Sequence, residues 1–392
     1  MATSQRIYLD NAATSWPKPE AVYAAVDRYQ REWGAPVGRG TYREAVEVER
    51  AVQAVRKSIA TLLGADDPRR VVLTASATHA LNQAIHGVLR PGDHVVTTAV
   101  EHNSVLRPLR YWESRRQVEV TQVGCDASGR ISADEVLSAV RPHTRLVAVS
   151  HASNVTGAVQ PIAPIGRGLV DHPALLLIDA AQSIGHERVD VAELGADLVA
   201  ASGHKGLLGP LGTGLLYIRP GIENQVESLI QGGTGTVSEQ VDQPTTLPEK
   251  FESGNLNAPG LVGLAAALDY VLEQTVETLG EQVRSLAERL WRGLSAVKGV
   301  RLLGPDDPRQ RTGVVSAVVE GYDPQEVAAM LESGYRIQVR AGLHCAPEMH
   351  RALGTLATGG TVRLSVGPLN TIDQIDQTVA AMHEIAATSS YS

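Results

Sequence analysis

Leu175-Leu176-Leu177-Ile178-Asp179-Ala180-Ala181-Gln182, followed downstream by Ser202-Gly203-His204-Lys205, decides how this chain folds. Four consecutive branched apolar residues show no polar alternation, so both faces of the extended segment must be covered, as in a strand inside a parallel sheet. The run stops at a carboxylate. In open α/β sheets, ligands collect beyond the carboxyl ends of the strands, and Asp179 falls there.

Working outward, Val71-Val72-Leu73-Thr74, Val95-Val96-Thr97-Thr98 and Leu146-Val147-Ala148-Val149 are further unbroken runs, separated by helical patterns at Ala80 to Leu89 and Ser132 to Val140. This βαβ rhythm predicts an α/β fold with an open, mostly parallel sheet covered by helices on both faces. Tyr42 to Gly64 reads as one long amphipathic helix stopped by glycine. Residues 232–250 are polar and aperiodic, which predicts a long ordered loop at the site or at a subunit contact. Beyond it, Leu261 to Leu294 is strongly helical. Val300, Val314 to Val319, Ile337 to Arg340 and Thr361 to Ser365 read as strands of a smaller α+β unit. The expected division is a large domain over residues 20–270 and a small one made of residues 1–19 and 271–392.

A chain of 392 residues with 43% hydrophobic content has enough apolar surface for two cores. A formal net charge of −8 without basic clusters argues against a nucleic-acid or anionic-membrane surface. Neither a signal peptide nor a membrane-length apolar stretch is evident, so a soluble, cytoplasmic protein is expected. Two cysteines, Cys125 and Cys345, do not make a disulfide framework and suit a reducing compartment.

Lys205 stands between His204 and Gly206, in apolar surroundings supplied by Leu207-Leu208, which lowers an amine's pKa and favours its nucleophilic form. A surface lysine is the plain alternative. A nucleophilic lysine downstream of a strand-end carboxylate suits a carbonyl cofactor held as a Schiff base, with the carboxylate at its ring nitrogen. The cofactor expected from this pattern is pyridoxal phosphate. Thr78, in Ala75-Ser76-Ala77-Thr78-His79 between a strand and a helix, is a phosphate ligand candidate, although threonine there also serves as a plain N-cap. Ser202 and His204 add contacts to the same phosphate. His102 ends a strand and offers a flat ring for stacking. Gln182 and Asn154 are candidates to hydrogen-bond the ring hydroxyl and neighbouring substrate oxygens.

These motifs, together with Tyr8-Leu9-Asp10-Asn11-Ala12-Ala13-Thr14, Glu101-His102-Asn103, Ser153-Asn154-Val155-Thr156-Gly157, Phe251-Glu252-Ser253-Gly254 and Arg340-Ala341-Gly342-Leu343-His344-Cys345, run in one order along nearly the whole chain. The chain resembles the cysteine desulfurases of the class V aminotransferase family, the branch that also contains selenocysteine lyases. The resemblance implies a pyridoxal phosphate fold type I scaffold with a seven-stranded sheet, and a homodimer whose sites borrow partner residues. It implies Lys205 as the Schiff base, His102 for stacking and proton handling, Asp179 at the ring nitrogen, Gln182 at the ring hydroxyl, and Thr78, Ser202 and His204 at the phosphate. It further implies that Cys345 attacks the sulfur of L-cysteine, leaving a persulfide and alanine, with Arg363 gripping the substrate carboxylate.

Cys345 follows Arg340 and His344 in a glycine-containing loop, the kind of setting that can expose a thiol and lower its pKa; Arg340 and Asn154 join Arg363 as expected substrate contacts. Cys125 reads as a buried structural cysteine. A zinc site at His344, Cys345 and His350 lacks a fourth ligand, so no metal is expected. The Arg-x-Gly-x-His-Cys form resembles the group of desulfurases that hand sulfur to an acceptor protein, which also leaves iron–sulfur assembly as a pathway. Asn255 departs from the family, in which many relatives place a Thr that crosses the dimer to the other site's phosphate. Rival readings are an aminotransferase or lyase on another small amino acid, which needs no thiol, and a silent sulfur-relay scaffold.

Overall fold

In the computed structural model, which describes residues 6–38, 40–237 and 239–389, the apolar runs assemble into one seven-stranded sheet. Its strands are β1 (Val71–Thr74), β2 (His94–Thr98), β3 (Glu119–Val123), β4 (Thr144–Ser150), β5 (Leu175–Asp179), β6 (Leu198–Ser202) and β7 (Gly214–Ile218). They lie in the order β1-β7-β6-β5-β4-β2-β3. Strands β2 to β6 are parallel, and β7 runs antiparallel to both its neighbours.

Both faces are dry, as the unbroken apolar runs require. Val147, Val149, Leu176, Ile178 and Val199 pack on one side against helix Arg43–Leu63, whereas Leu146, Ala148, Leu175, Leu177 and Leu198 pack on the other against helices Ala77–Val88 and Asn103–Arg116. Successive residues alternate between the two cores, and each fully buried Leu, Ile or Val contributes about 1.5–3 kcal/mol. Helix Arg43–Leu63 ends on Gly64 at φ 63°, the left-handed cap that the glycine predicts.

A second sheet contains β8 (Val300–Leu303), β9 (Val314–Val319), β10 (Arg340–Gly342) and β11 (Thr361–Ser365), all antiparallel in the order β10-β11-β9-β8. Its own core is closed by helices Val276–Ser295, Pro324–Tyr335 and Ile372–Ser389. The N-terminal segment joins this body: Ile7–Tyr8 pairs with Ile337–Gln338, and Asp10 bridges to Ser365. A few residues later the Ser15 N–H donates to the His204 carbonyl at 3.0 Å, so the same segment reaches the loop that carries Lys205.

Two readings needed adjustment. The helical stretch Leu261 to Leu294 is two helices, Ala258–Gln274 and Val276–Ser295, broken at Thr275, whose φ of 66° no α-helix accommodates. The extended run Ile337 to Arg340 is divided between the short N-terminal pairing and β10. Residues 232–248 hold no helix or strand among the described residues, in keeping with a long loop. Among the described residues no helix is long and apolar enough to cross a membrane.

Candidate active site

The carboxyl ends of β1, β2, β4, β5 and β6 converge on one cleft of about 120 Å³, lined by Thr78, His102, Asn154, Asp179, Gln182, Ser202, His204 and Lys205 among others. Convergence follows from the strand register, because Asp179 lies beside Ser150 on β4 and Ala200 on β6. Asp179 is buried, and burial pushes its carboxyl pKa up, against the Ala181 N–H bond and the Lys205 charge. Its Oδ1 accepts from Ala181 N at 3.0 Å; no other hydrogen bond is made by the side chain among the described residues. A desolvated carboxylate with one free oxygen calls for a cation.

Lys205 supplies the nucleophile. Burial brings its amine pKa down to about 8, with Asp179 working in the opposite direction and Arg363 and Arg340 reinforcing the fall. A substantial neutral fraction therefore exists near neutral pH. The loop that presents it is tightly packed: a Cβ on Gly206 would stand 2.1 Å from the Ile184 carbonyl oxygen, so this glycine serves a backbone-to-backbone approach rather than contact with a ligand. Leu207 and Leu208 are fully buried, and Leu208 adopts φ 60°.

At the far end of the cleft, Ser76 rather than Thr78 caps helix Ala77–Val88, accepting from His79 N at 3.1 Å. Thr78 sits in the first turn, with its hydroxyl 2.7 Å from Ser104 Oγ. Ser202 Oγ accepts from Ala77 N at 3.2 Å. His204 lines the same end, and its Nδ1 is buried without a hydrogen-bond partner among the described residues. A helix N-terminus, the hydroxyls of Ser76, Thr78, Ser104 and Ser202, and an orphaned imidazole nitrogen form a cradle suited to a phosphate.

His102 caps helix Asn103–Arg116: its Nδ1 accepts from the Ser104 N–H at 3.0 Å and lies 2.9 Å from Ser104 Oγ. That assigns the ring proton to Nε2. Burial, assisted by Lys205, Arg340 and Arg363, lowers the His102 pKa to about 4, so the ring is neutral. Gln182 donates to the Ala12 carbonyl at 2.9 Å, and Asn154 donates to the His344 carbonyl at 2.6 Å. Each amide thus spends a donor on the protein frame before any ligand arrives.

Beyond the lining residues, past Asn154, stands a cationic pair. Arg340 and Arg363 face each other across the β10–β11 pair, an unfavourable like-charge placement. Arg363 is buried, with Nη2 on Asp10 Oδ1 at 2.7 Å, Nη1 on the Asn154 carbonyl at 3.1 Å, and Nε without a hydrogen-bond partner among the described residues. Its fork is therefore partly engaged rather than wholly free for a bidentate contact. Arg340 Nη2 donates to Cys345 Sγ at 3.4 Å. Two guanidinium groups against one carboxylate leave surplus positive charge for an anionic ligand.

Cys345 lies outside the residues that line the cleft, as do Arg340 and Arg363; its loop is joined to the cleft through Asn154, which bonds the His344 carbonyl, and through Asn103 N, which donates to the Cys345 carbonyl at 2.7 Å. His344 and Cys345 have φ of 49° and 60°, two consecutive side-chain-bearing residues in left-handed conformation. Asn255 is exposed and outside the lining of its own chain's cleft.

Several residues near the site escaped the sequence reading of roles. Ser76 and Ser104 are cap and relay hydroxyls; the serines around Thr78 and His102 are the signal that was available. Glu101, fully buried, accepts from Thr98 Oγ1 at 2.6 Å and from Ser150 N and Oγ at 3.0 and 2.7 Å. Burial outweighs those bonds and lifts its pKa to about 7, with nearby Asp179 adding to the rise.

Comparison with known proteins points the same way as the geometry. The aminotransferase class-V family profile matches residues 7–378. A probable cysteine desulfurase from Methanothermobacter thermautotrophicus is 38% identical over 97% of this chain and 94% of the relative. One from Pyrococcus abyssi is 33% identical over 98% and 95%. Among solved structures, the apo form of a cysteine desulfurase from Thermococcus onnurineus superposes with a TM-score of 0.91 at 33% identity, covering 98% of this chain and 95% of that one. The cysteine desulfurase CsdA from Escherichia coli superposes with a TM-score of 0.87 at 28% identity, over the same shares.

Proposed function

The chain belongs to the aminotransferase class-V family, and we infer that it is a cysteine desulfurase that binds pyridoxal 5'-phosphate, converts L-cysteine to L-alanine and retains the sulfur on Cys345. The observation that carries this reading is a cysteine whose sulfur stands 3.4 Å from Arg340 of the same loop, on a backbone that the cleft residue Asn154 holds through the His344 carbonyl. Transamination or β-elimination on the same scaffold requires no such thiol.

The cleft fits the cofactor: the buried Asp179 wants a cation, the orphaned His204 nitrogen wants a polar partner, and the Lys205 amine is poised for an aldehyde. When bound, the cofactor supplies a protonated ring that stabilises negative charge on the carbon bearing the substrate's amino group. Lys205 would anchor it through Nζ and move the proton at that carbon, while Asp179 would keep the ring nitrogen protonated. Thr78, Ser202 and His204 would hold the phosphate, His102 would lie against the ring face, and Gln182 would bond the ring hydroxyl. Arg363 and Arg340, with Asn154, would orient the substrate carboxylate.

Cys345 acts as the nucleophile. Its thiolate forms a bond to the substrate sulfur as the carbon–sulfur bond breaks; the electron pair returns to carbon, which takes a proton and leaves as alanine. The product on the enzyme is a persulfide, which an acceptor protein or a thiol then removes. Selenocysteine, with a weaker bond to carbon, suits the same geometry.

In this reading residues 20–270 hold the cofactor, while residues 1–19 and 271–392 bring the cysteine loop and the arginines. Separate cores under the two sheets support that division. The exposed Asn255 fits a homodimer in which it reaches the partner's phosphate, and two free thiols fit the cytoplasm. Borohydride reduction of protein incubated with pyridoxal phosphate tests the cofactor arm: a pyridoxyl group on the peptide containing Lys205 is expected, and its absence removes the assignment.

A further inference from the structure

We propose that His350, outside the cleft, is a positioning residue for Cys345, closing a hydrogen-bonded ring that holds the 344–345 backbone in its left-handed conformation. The inference rests on the reading of Cys345 as the sulfur acceptor.

The ring can be followed bond by bond. His344 Nε2 lies 2.9 Å from Thr361 Oγ1 at the start of β11. One residue before, Gly360 N donates to the Thr355 carbonyl at 2.9 Å. Thr355 Oγ1 in turn lies 2.8 Å from His350 Nδ1, and Thr355 N donates to the His350 carbonyl at 2.8 Å. His350 N donates to the Ala346 carbonyl at 3.3 Å, which returns the circuit to the residue after Cys345. The two imidazoles pack with centroids 5.6 Å apart and planes inclined by 46°.

Two features separate this cluster from ordinary packing. His344 and His350 are 2% and 0% exposed, yet His344 Nδ1 and His350 Nε2 have no hydrogen-bond partner among the described residues. Buried polar atoms of this kind are costly, and leucines of similar volume would carry no such cost. The strain is also focused: consecutive non-glycine residues at positive φ persist only where the surroundings over-determine them, and such places cluster at functional sites. Asn154 and Asn103 grip this loop from the large sheet, through the His344 and Cys345 carbonyls. The histidine ring grips it from the small sheet. Between the two, Sγ is left with few directions to point.

The test compares His350→Ala, Thr355→Val and His350→Asn in the full chain loaded with pyridoxal phosphate, and again in cofactor-free protein. His350→Asn can keep the bond to Thr355; the other two cannot. Misplacing a reacting group slightly costs rate without weakening substrate binding, so His350→Ala and Thr355→Val should lower kcat by about tenfold or more. KM and the cofactor absorption band should hold, and His350→Asn should recover most of the rate. In cofactor-free protein, a loosened loop should change the iodoacetamide alkylation rate of Cys345 about threefold or more, while Cys125 stays as it was. If His350→Ala does not fold, Thr355→Val decides by the same criteria. Unchanged kcat and unchanged alkylation overturn the proposal, as does a loss of rate that merely follows loss of the cofactor band. Full turnover in Cys345→Ser would instead remove the reading on which it rests.

Discussion

The two cysteines of this chain show how differently one side chain behaves in two settings a short distance apart in the fold. Cys125 lies in the turn after β3, half-buried, with its Sγ 4.0 Å from Met349 Sδ. Burial, helped by Asp126, pushes its thiol pKa up to about 11. Cys345 is also half-buried, but an arginine Nη2 stands 3.4 Å from its sulfur and its backbone is strained at φ 60°. Met349 connects the two regions, because helix Pro347–Ala352 begins just past Cys345. Packing keeps one thiol protonated; the other has a guanidinium beside it and a strained loop beneath it.

The comparison breaks most decisively at turnover. Cys345→Ser should reduce sulfide release from L-cysteine by at least about 10³-fold with the cofactor band intact, whereas Cys125→Ser should leave it within about twofold. Equal losses would erase the distinction. Thiol chemistry sharpens it next: at pH 8 a group with a pKa of about 11 is thiolate in only about one molecule per thousand, so iodoacetamide should label Cys125 slowly, with a Cys345-to-Cys125 labelling ratio above one. Peptide mapping of the alkylated chain reads this ratio directly.

A smaller effect comes from the Cys125 side alone. Gly129 closes the turn at φ 79°, and a Cβ there would meet Met349 Cε at 2.3 Å and Thr156 Oγ1 at 2.9 Å. Gly129→Ala should destabilise the fold by about 1–3 kcal/mol, seen as an earlier denaturant midpoint, from strained backbone and overpacking. On the Cys345 side, pH is the lever. Burial holds the folded His350 pKa at about 4, below the ordinary 6.5 that it regains when the chain unfolds. The unfolded chain therefore binds a proton that the folded chain refuses between those values. The stability is whole above pH 6.5 and falls as pH drops towards 4, by up to about 1.4 kcal/mol per pH unit from this one group. His350→Asn should flatten that slope; an unaltered slope would show that His350 takes its proton without cost.

Much of this was readable from residue order, for physical reasons that differ by element. Strands β4 and β5 are covered on both faces, so their sequences are continuous apolar runs, and the residues that end them had to lie at the ligand-binding edge. Strand β3, at the sheet margin, reads Glu-Val-Thr-Gln-Val with only Val123 buried, and so gave no comparable signal. Thr78 was placed near the right turn, but which hydroxyl caps the helix depends on backbone angles at Ser76 that composition does not encode. Arg363 was recognisable as a candidate anion ligand, whereas its engagement with Asp10 depends on the N-terminal segment running beside β11. Glu101 precedes the histidine that makes its motif readable; its burial against Ser150 follows only from the lateral order of β2, β4 and β5. The strain at His344 and Cys345 has no sequence signature, since neither is the glycine that positive φ favours.

Incubating the holoenzyme with L-cysteine and mapping its cysteine peptides by mass spectrometry tests the central claim most directly. The account predicts one additional sulfur on the peptide containing Cys345, none on that containing Cys125, and release of alanine. Alanine formation with no sulfur on Cys345, or with the sulfur on Cys125, would contradict it.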